Sequence, residues 1–215
     1  MLHSLNLITG ASIIALDGAI GSVSDFLFDD LSWTIRFLVV DCGKWLRHHE
    51  VLITVMSVDQ PDWNKKKLPV HLSKVQVRQS PDVDTVKPVS RQQEIATSEY
   101  YGWPSYWNAL FPDGPYAADM EFPTRTGDDP HLRRAWNLAG YEVRSMEGRI
   151  GRLQDFVLDD ATWHIGSLTV HAGSWMTGYD SLASTRAVKE ISWVSRKIYL
   201  AEKWPPAAPR RSLRS

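Results

Sequence analysis

The chain has a single cysteine, Cys42. No disulfide can form within it, and the residue stands in no context that marks a nucleophile. No apolar run approaches the roughly 18 residues of a membrane-spanning helix. No positively charged start followed by an apolar stretch marks a signal peptide. These absences predict a cytoplasmic protein in a reducing compartment, without membrane insertion. Neither sign of charge is in excess, and a formal net charge of −1 excludes a chain that binds polyanions with its whole surface. There is no Gly-rich phosphate loop, G-x-S-x-G elbow, H-E-x-x-H or D-x-[DN]-x-[DN]-G calcium loop. His48, His49, His164 and His171 join neither cysteine nor carboxylates at ligand spacing. The expectation is a non-enzymatic protein with no catalytic residues, no cofactor and no metal.

What the chain does have is one stretch written twice. Gly18 to Trp45 reads GAIGSVSDFLFDDLSWTIRFLVVDCGKW, and Gly148 to Trp175 reads GRIGRLQDFVLDDATWHIGSLTVHAGSW. The offset is constant (148 − 18 = 130 and 175 − 45 = 130), and 13 of 28 positions are identical, where ordinary composition gives roughly two. Gly10 and Gly140, Val58 and Val188, and Trp63 and Trp193 extend the match. Such a repeat predicts two copies of one small unit. Each copy has about 75–80 residues, near the lower end of what folds alone. Ten tryptophans suit small cores, because each buries a large area.

Within a copy the pattern is all-β. Asp17-Gly18 marks a hairpin, Gly21 a bulge or bend, and the acidic pair Asp29-Asp30 a turn. Trp33 to Asp41 reads as a well-buried strand. Short strands with Gly and Asp turns predict a small barrel or sandwich, and strands bent at glycine favour the barrel. Ser73 to Arg78 reads as a short helix. The predicted organisation is barrel 1 over residues 1–80, a linker over 81–130, barrel 2 over 131–204, and a disordered tail over 205–215. In the linker, Ser90 and Gln93 form an S-x-x-Q capping box in front of a helix over about 91–101.

Four groups of side chains are candidates for function. Asp25, Asp29 and Asp30, repeated as Asp155, Asp159 and Asp160, are read as turn caps rather than a cation site. Trp33 and Trp163, with Trp45 and Trp175, recur and are read as core. Tyr100, Tyr101, Trp103, Tyr106 and Trp107 do not recur. They either dock within the chain or form a partner contact. Lys65, Lys66 and Lys67, with Arg196 and Lys197, place positive charge on the same hairpin tip in both copies. That tip can meet RNA phosphates or an acidic protein surface, or simply keep a sheet edge soluble.

The residues Gly10, Asp17-Gly18, Gly21, Asp25, Asp29 and Trp33 resemble the pattern of the PRC-barrel family. Gly140, Glu147-Gly148, Gly151, Asp155, Asp159 and Trp163 repeat it. Val89 to Trp107 is similar to the tail that often follows such a barrel in bacteria. The family is shared by the soluble domain of the H subunit of purple-bacterial photosynthetic reaction centres and by the C-terminal domain of the RimM-type ribosome-maturation factor. The chain departs from the first in lacking a membrane helix, and from the second in lacking its separate N-terminal domain. The resemblance implies two small PRC-type barrels in tandem that act as a protein-binding adaptor. Two alternatives stay open: an RNA- or ribosome-assembly-associated factor, and a cytoplasmic-side accessory of a reaction-centre-type membrane complex. Self-association as a homo-oligomer is expected, since small paired barrels expose strand edges and apolar faces.

Overall fold

Period-two alternation of apolar and polar residues makes most of the chain strand. A computed structural model describes residues 1–46, 50–80, 89–90, 96–97, 99–102, 130–173 and 178–201. The first half runs β1 (Leu2–Ser4), α1 (Leu5–Ile8), β2 (Ser12–Ala15), β3 (Gly18–Asp29), β4 (Thr34–Asp41), β5 (Glu50–Thr54), β6 (Lys67–Pro69) and α2 (Lys74–Arg78). Then come β7 (Val89–Ser90) and β8 (Pro130–Arg134), a 3-10 turn at Ala135–Leu138, β9 (Glu142–Ser145), β10 (Gly148–Asp159), β11 (His164–Ala172), β12 (Tyr179–Ser184), β13 (Val188–Ser192) and β14 (Lys197–Leu200).

The two halves repeat one ladder. β3 pairs with β4, β4 with β5 and β2 with β3, all antiparallel, while β6 runs parallel to β2. β10, β11, β12, β9 and β14 do the same. In the hairpin β2–β3 the loop is Leu16–Asp17, with Ala15 opposite Gly18 at φ +122°, a conformation open to glycine at low cost. Gly21 is a position of close approach: a Cβ there would lie 2.0 Å from the Asp41 carbonyl oxygen, and one on Gly151 2.0 Å from that of His171. The expected bend at Gly21 is therefore a place where one strand presses onto another. Register shifts beside it at Ile13/Ile14 and Val23/Asp25 curl the sheet.

The expected all-β class holds, and the halves are not separate sheets. One path runs β13-β14-β9-β10-β11-β4-β3-β2-β6, and it does not close on itself among the described residues. The core follows the junction. Leu5, Ile8, Phe26, Phe28, Ile35 and Leu38 from the first half share one buried cluster with Leu138, Phe156, Leu158, Ile165 and Leu168 from the second. Each such side chain contributes roughly 1.5–3 kcal/mol by leaving water. A second cluster, Leu27, Phe37, Val39, Leu52 and Leu132, lies on the other side of the first half's sheet. Among the described residues no helix is long and apolar enough to cross a membrane.

Helix α2 starts at the residue expected. Ser73 accepts from the Gln76 amide, and the Gln76 side chain accepts from the Ser73 amide, which completes a capping box. Of the linker helix expected over 91–101, residues 96–97 and 99–101 are helical, and the rest lies outside the described residues. Ser90, expected as its cap, ends β7, which pairs with β8.

Candidate functional site at the junction of the halves

The junction is an internal two-fold. β1 pairs with β10 through Leu2↔Asp159, His3↔Leu158 and Ser4↔Val157. β8 pairs with β3 through Leu132↔Asp29, Arg133↔Phe28 and Arg134↔Leu27. Each pair maps onto the other by the repeat offset (132 − 2 = 130 and 159 − 29 = 130). Each half thus lends its first strand to the other, the isologous arrangement of a symmetric dimer inside one chain. At the axis Thr34 faces its own counterpart, His164. Trp33 and Trp163 hold φ of +54° and +55°, costly for bulky residues. Ile35 N–H donates to the Trp163 carbonyl and Ile165 N–H to that of Trp33, both at 2.8 Å. The strained turn aims a carbonyl across the axis.

Asp25 and Asp155 fasten the exchanged segments. Asp25 accepts from the amides of Phe26 at 2.7 Å and Trp136 at 3.2 Å, and from Arg134 Nε at 2.7 Å. Arg134 also donates to Glu50 at 2.9 and 3.1 Å. Burial pushes the Asp25 carboxyl up and outweighs its hydrogen bonds to Phe26, Trp136 and Arg134. Burial works against the Arg134 charge too, but Glu50 and Asp25 outweigh it and hold the guanidinium above its ordinary value. Asp155 accepts from the amides of Phe156 at 2.7 Å and Asn6 at 3.2 Å, and from the Ser4 hydroxyl. Ser4 and Arg134 are equivalent by the offset, so one lock is neutral and the other ionic.

Asp30 and Asp160 head two equivalent sites. At one, Asp160 meets the Met1 ammonium, His3 Nε2 at 3.0 Å and Trp63 Nε1 at 2.9 Å, and His3 lies against Trp63 with centroids 4.5 Å apart. Burial alone would raise the Asp160 carboxyl, but the Met1 ammonium, Trp63 and His3 together hold it below the ordinary range. At the other, Arg133 Nε donates to Asp30 at 3.2 Å, and the guanidinium lies 4.6 Å from the centre of the Trp193 ring. Here an open cleft of about 410 Å³ remains, walled by Leu31, Trp33, Val188, Ile191 and Trp193.

The aspartates read as turn caps divide. Asp29 caps the amides of Leu31 and Ser32 at 2.9 and 3.1 Å, and Asp159 that of Ala161 at 3.1 Å. Asp25 and Asp155 cap the amides of Phe26 and Phe156 and also bind across the junction; Asp30 and Asp160 bind across it as well. Trp33 is buried and stacks on Phe28 at 5.3 Å, and Trp163 packs against the same core. The side chains of Trp45 and Trp175 lie outside the described residues. Tyr101 packs on the core, where burial pushes its hydroxyl up to about 12, while Tyr100 donates to the Gln76 carbonyl at 3.1 Å. Trp103, Tyr106 and Trp107 lie outside the described residues.

Lys65, Lys66 and Lys67 are exposed. Arg196 lies 5.2 Å from the centre of the Tyr141 ring, and Lys197 helps hold Glu142 down behind the larger effects of Arg144 and Arg149. The two tips sit near opposite ends of the strand path. Among the described residues, no three His, Cys, Asp or Glu gather where they could hold a metal ion. His171 Nδ1 and Asp180 are 2.8 Å apart, and burial, with Arg186 and Arg36, holds His164 below its ordinary value against the pull of Ser32 and Asp159. Cys42 is buried, and burial followed by Asp41 pushes its thiol up to about 12, far from a nucleophile.

No family model matches the sequence, and no curated protein matches it.

Proposed function

We infer that the chain is a non-enzymatic adaptor built from two PRC-type barrels, whose task is to hold a partner protein at the junction between them. One observation carries the reading. The repeat keeps the residues that shape the strands and the junction (Gly21, Asp25, Trp33 and their mates), while the side chains around its equivalent aspartates have diverged, with Met1, His3 and Trp63 at Asp160 and Arg133 stacked on Trp193 at Asp30. A scaffold held constant under a varied surface is how binding modules are built. A tagged full chain used as bait in native lysate tests this. One stoichiometric protein partner that survives moderate salt is the expected result. Recovery of the bait alone would sink the reading.

The exposed tip Lys65–Lys67 favours RNA as a second reading. It predicts an affinity that falls steeply with salt and with all three lysines changed to alanine. Salt-independent or undetectable RNA binding removes it.

A further inference from the structure

The two sites share a skeleton and differ in their side chains. Where the Asp160 side carries Ala161 and Pro61, the Asp30 side carries Leu31 and Ile191, which line its cleft, and the turn after Trp193 carries Val194 where the other half has Asn64. Leu31 is 48% exposed and Val194 99%. Single exposed apolar residues are ordinary, but apolar side chains grouped around a cleft, as Leu31 and Ile191 are here, are the kind that meet a partner.

The strand beside the cleft differs in the same sense. β13 ends the strand path and, among the described residues, pairs only with β14. In the first half the corresponding residues make only the isolated bridges Val58↔Val70 and Asp62↔Lys67. Pro61 there removes a backbone donor, one of the devices that keep a sheet edge from pairing. Ile191 leaves the donor in place. A register shift at Val188/Glu190 leaves Glu190 to Ser192 as the regular stretch. That is three residues, the length of β1, which this chain already adds to a neighbouring strand.

We propose that this edge and cleft dock an extended peptide of a partner protein, which adds as a strand along Glu190 to Ser192 and seats a bulky apolar side chain between Leu31, Trp33, Ile191 and Trp193. The proposal rests on the adaptor reading and names the chemistry of its partner. A row of backbone donors and acceptors beside an apolar cleft is satisfied by a strand with alternating side chains. Charge at the site balances, with Arg133 and Lys189 against Asp30 and Glu190. Affinity therefore changes little with salt, unlike a phosphate contact.

Short random peptides displayed on phage and panned against the full chain supply the probe. Enriched peptides are expected to alternate apolar and polar residues and to protect the Ile191 amide, which faces away from β14, from hydrogen exchange. They should lose about tenfold or more in affinity on Ile191→Pro and on Leu31→Ala. Both substitutions install the residue that the sister site carries, and Val194→Asn, at a fully solvated position, serves where melting shows a fold change. Equal binding to all three variants overturns the proposal, as does the absence of any enriched peptide. It is also overturned if that amide is already protected in the free protein by a second copy, read as mass rising with concentration. A partner captured from lysate and retained by all three variants leaves the adaptor reading standing and removes this cleft as its site.

Discussion

The first half buries β3 on both faces. Phe26, Leu27 and Phe28 are shielded in succession, Phe26 and Phe28 on the inner side and Leu27 on the outer side with Phe37, Val39 and Leu52. The second half buries Phe156 and Leu158 but leaves Val157 half-buried between them, and its outer positions on β11 are Ser167 and Thr169. The inner faces match and the outer faces do not. The inner face answers to the fold that both halves share. The outer face answers to what lies on it: in the first half, Leu132 of β8, with β7 alongside. Difference between copies therefore maps where each half meets something other than itself.

Changes at the shared skeleton should hurt both halves alike and most. Gly21→Ala and Gly151→Ala each drive a methyl into a backbone carbonyl, and each is expected to cost about 4 kcal/mol or more in denaturant unfolding. A large gap between them would show that the halves are not equivalent even in skeleton. The locks should separate the halves. Asp25→Ala leaves Arg134 beside Glu50 without its second partner and is expected to cost about 3 kcal/mol. Asp155→Ala removes neutral partners and is expected to cost about 1–2 kcal/mol by the same measurement. Equal losses would break the comparison. Trp63→Phe forfeits its bond to Asp160 and should cost about 1 kcal/mol. Trp193→Phe weakens the stacking of the Arg133 guanidinium on the ring and should cost about 0.5–1 kcal/mol.

A pH effect sharpens the axis itself. His164 has a folded value held below its ordinary 6.5. As pH falls, the unfolded chain takes up the proton first. The stability tied to this residue is therefore complete above about 6.5 and drains away below it. His164→Thr installs the first half's residue. The drop in melting temperature between about pH 7.5 and about pH 5.5 should shrink in this variant. An unchanged drop would place the titration elsewhere.

The constant offset, Gly21 and the turn at Asp29 were legible because each shapes its own neighbourhood. The strand exchange was not. β1 has three residues, too few to show a period, and its partner lies far along the chain. The aspartates misled for a related reason. All six recur equally, so nothing in the spacing separates Asp29, which caps its own turn, from Asp25, whose partner Arg134 stands opposite a serine in the other half. One signal was there to be used: apolar Phe37 and Val39 against polar Ser167 and Thr169 announces that the two outer faces do not meet the same surroundings. The short helix at Ser73 to Arg78 was legible, and the structure adds the capping box that starts it; Ser90, read as the cap of the linker helix, ends β7 on its ladder with β8, and residues 91–95 lie outside the described residues.

The exchange of first strands also sets an order of events at the ribosome. Leu2 cannot meet Asp159 until the second half has been made. The edge of β3 at Leu27 to Asp29 waits for β8 in the same way: 105 residues separate Asp29 from Arg134 (134 − 29 = 105), which at about 5–20 residues per second leaves it unpaired for roughly 5–20 s. The residues that bind the finished molecule together are, during synthesis, those most open to a wrong neighbour, so slowing translation between the halves should raise aggregation more than slowing it after β11.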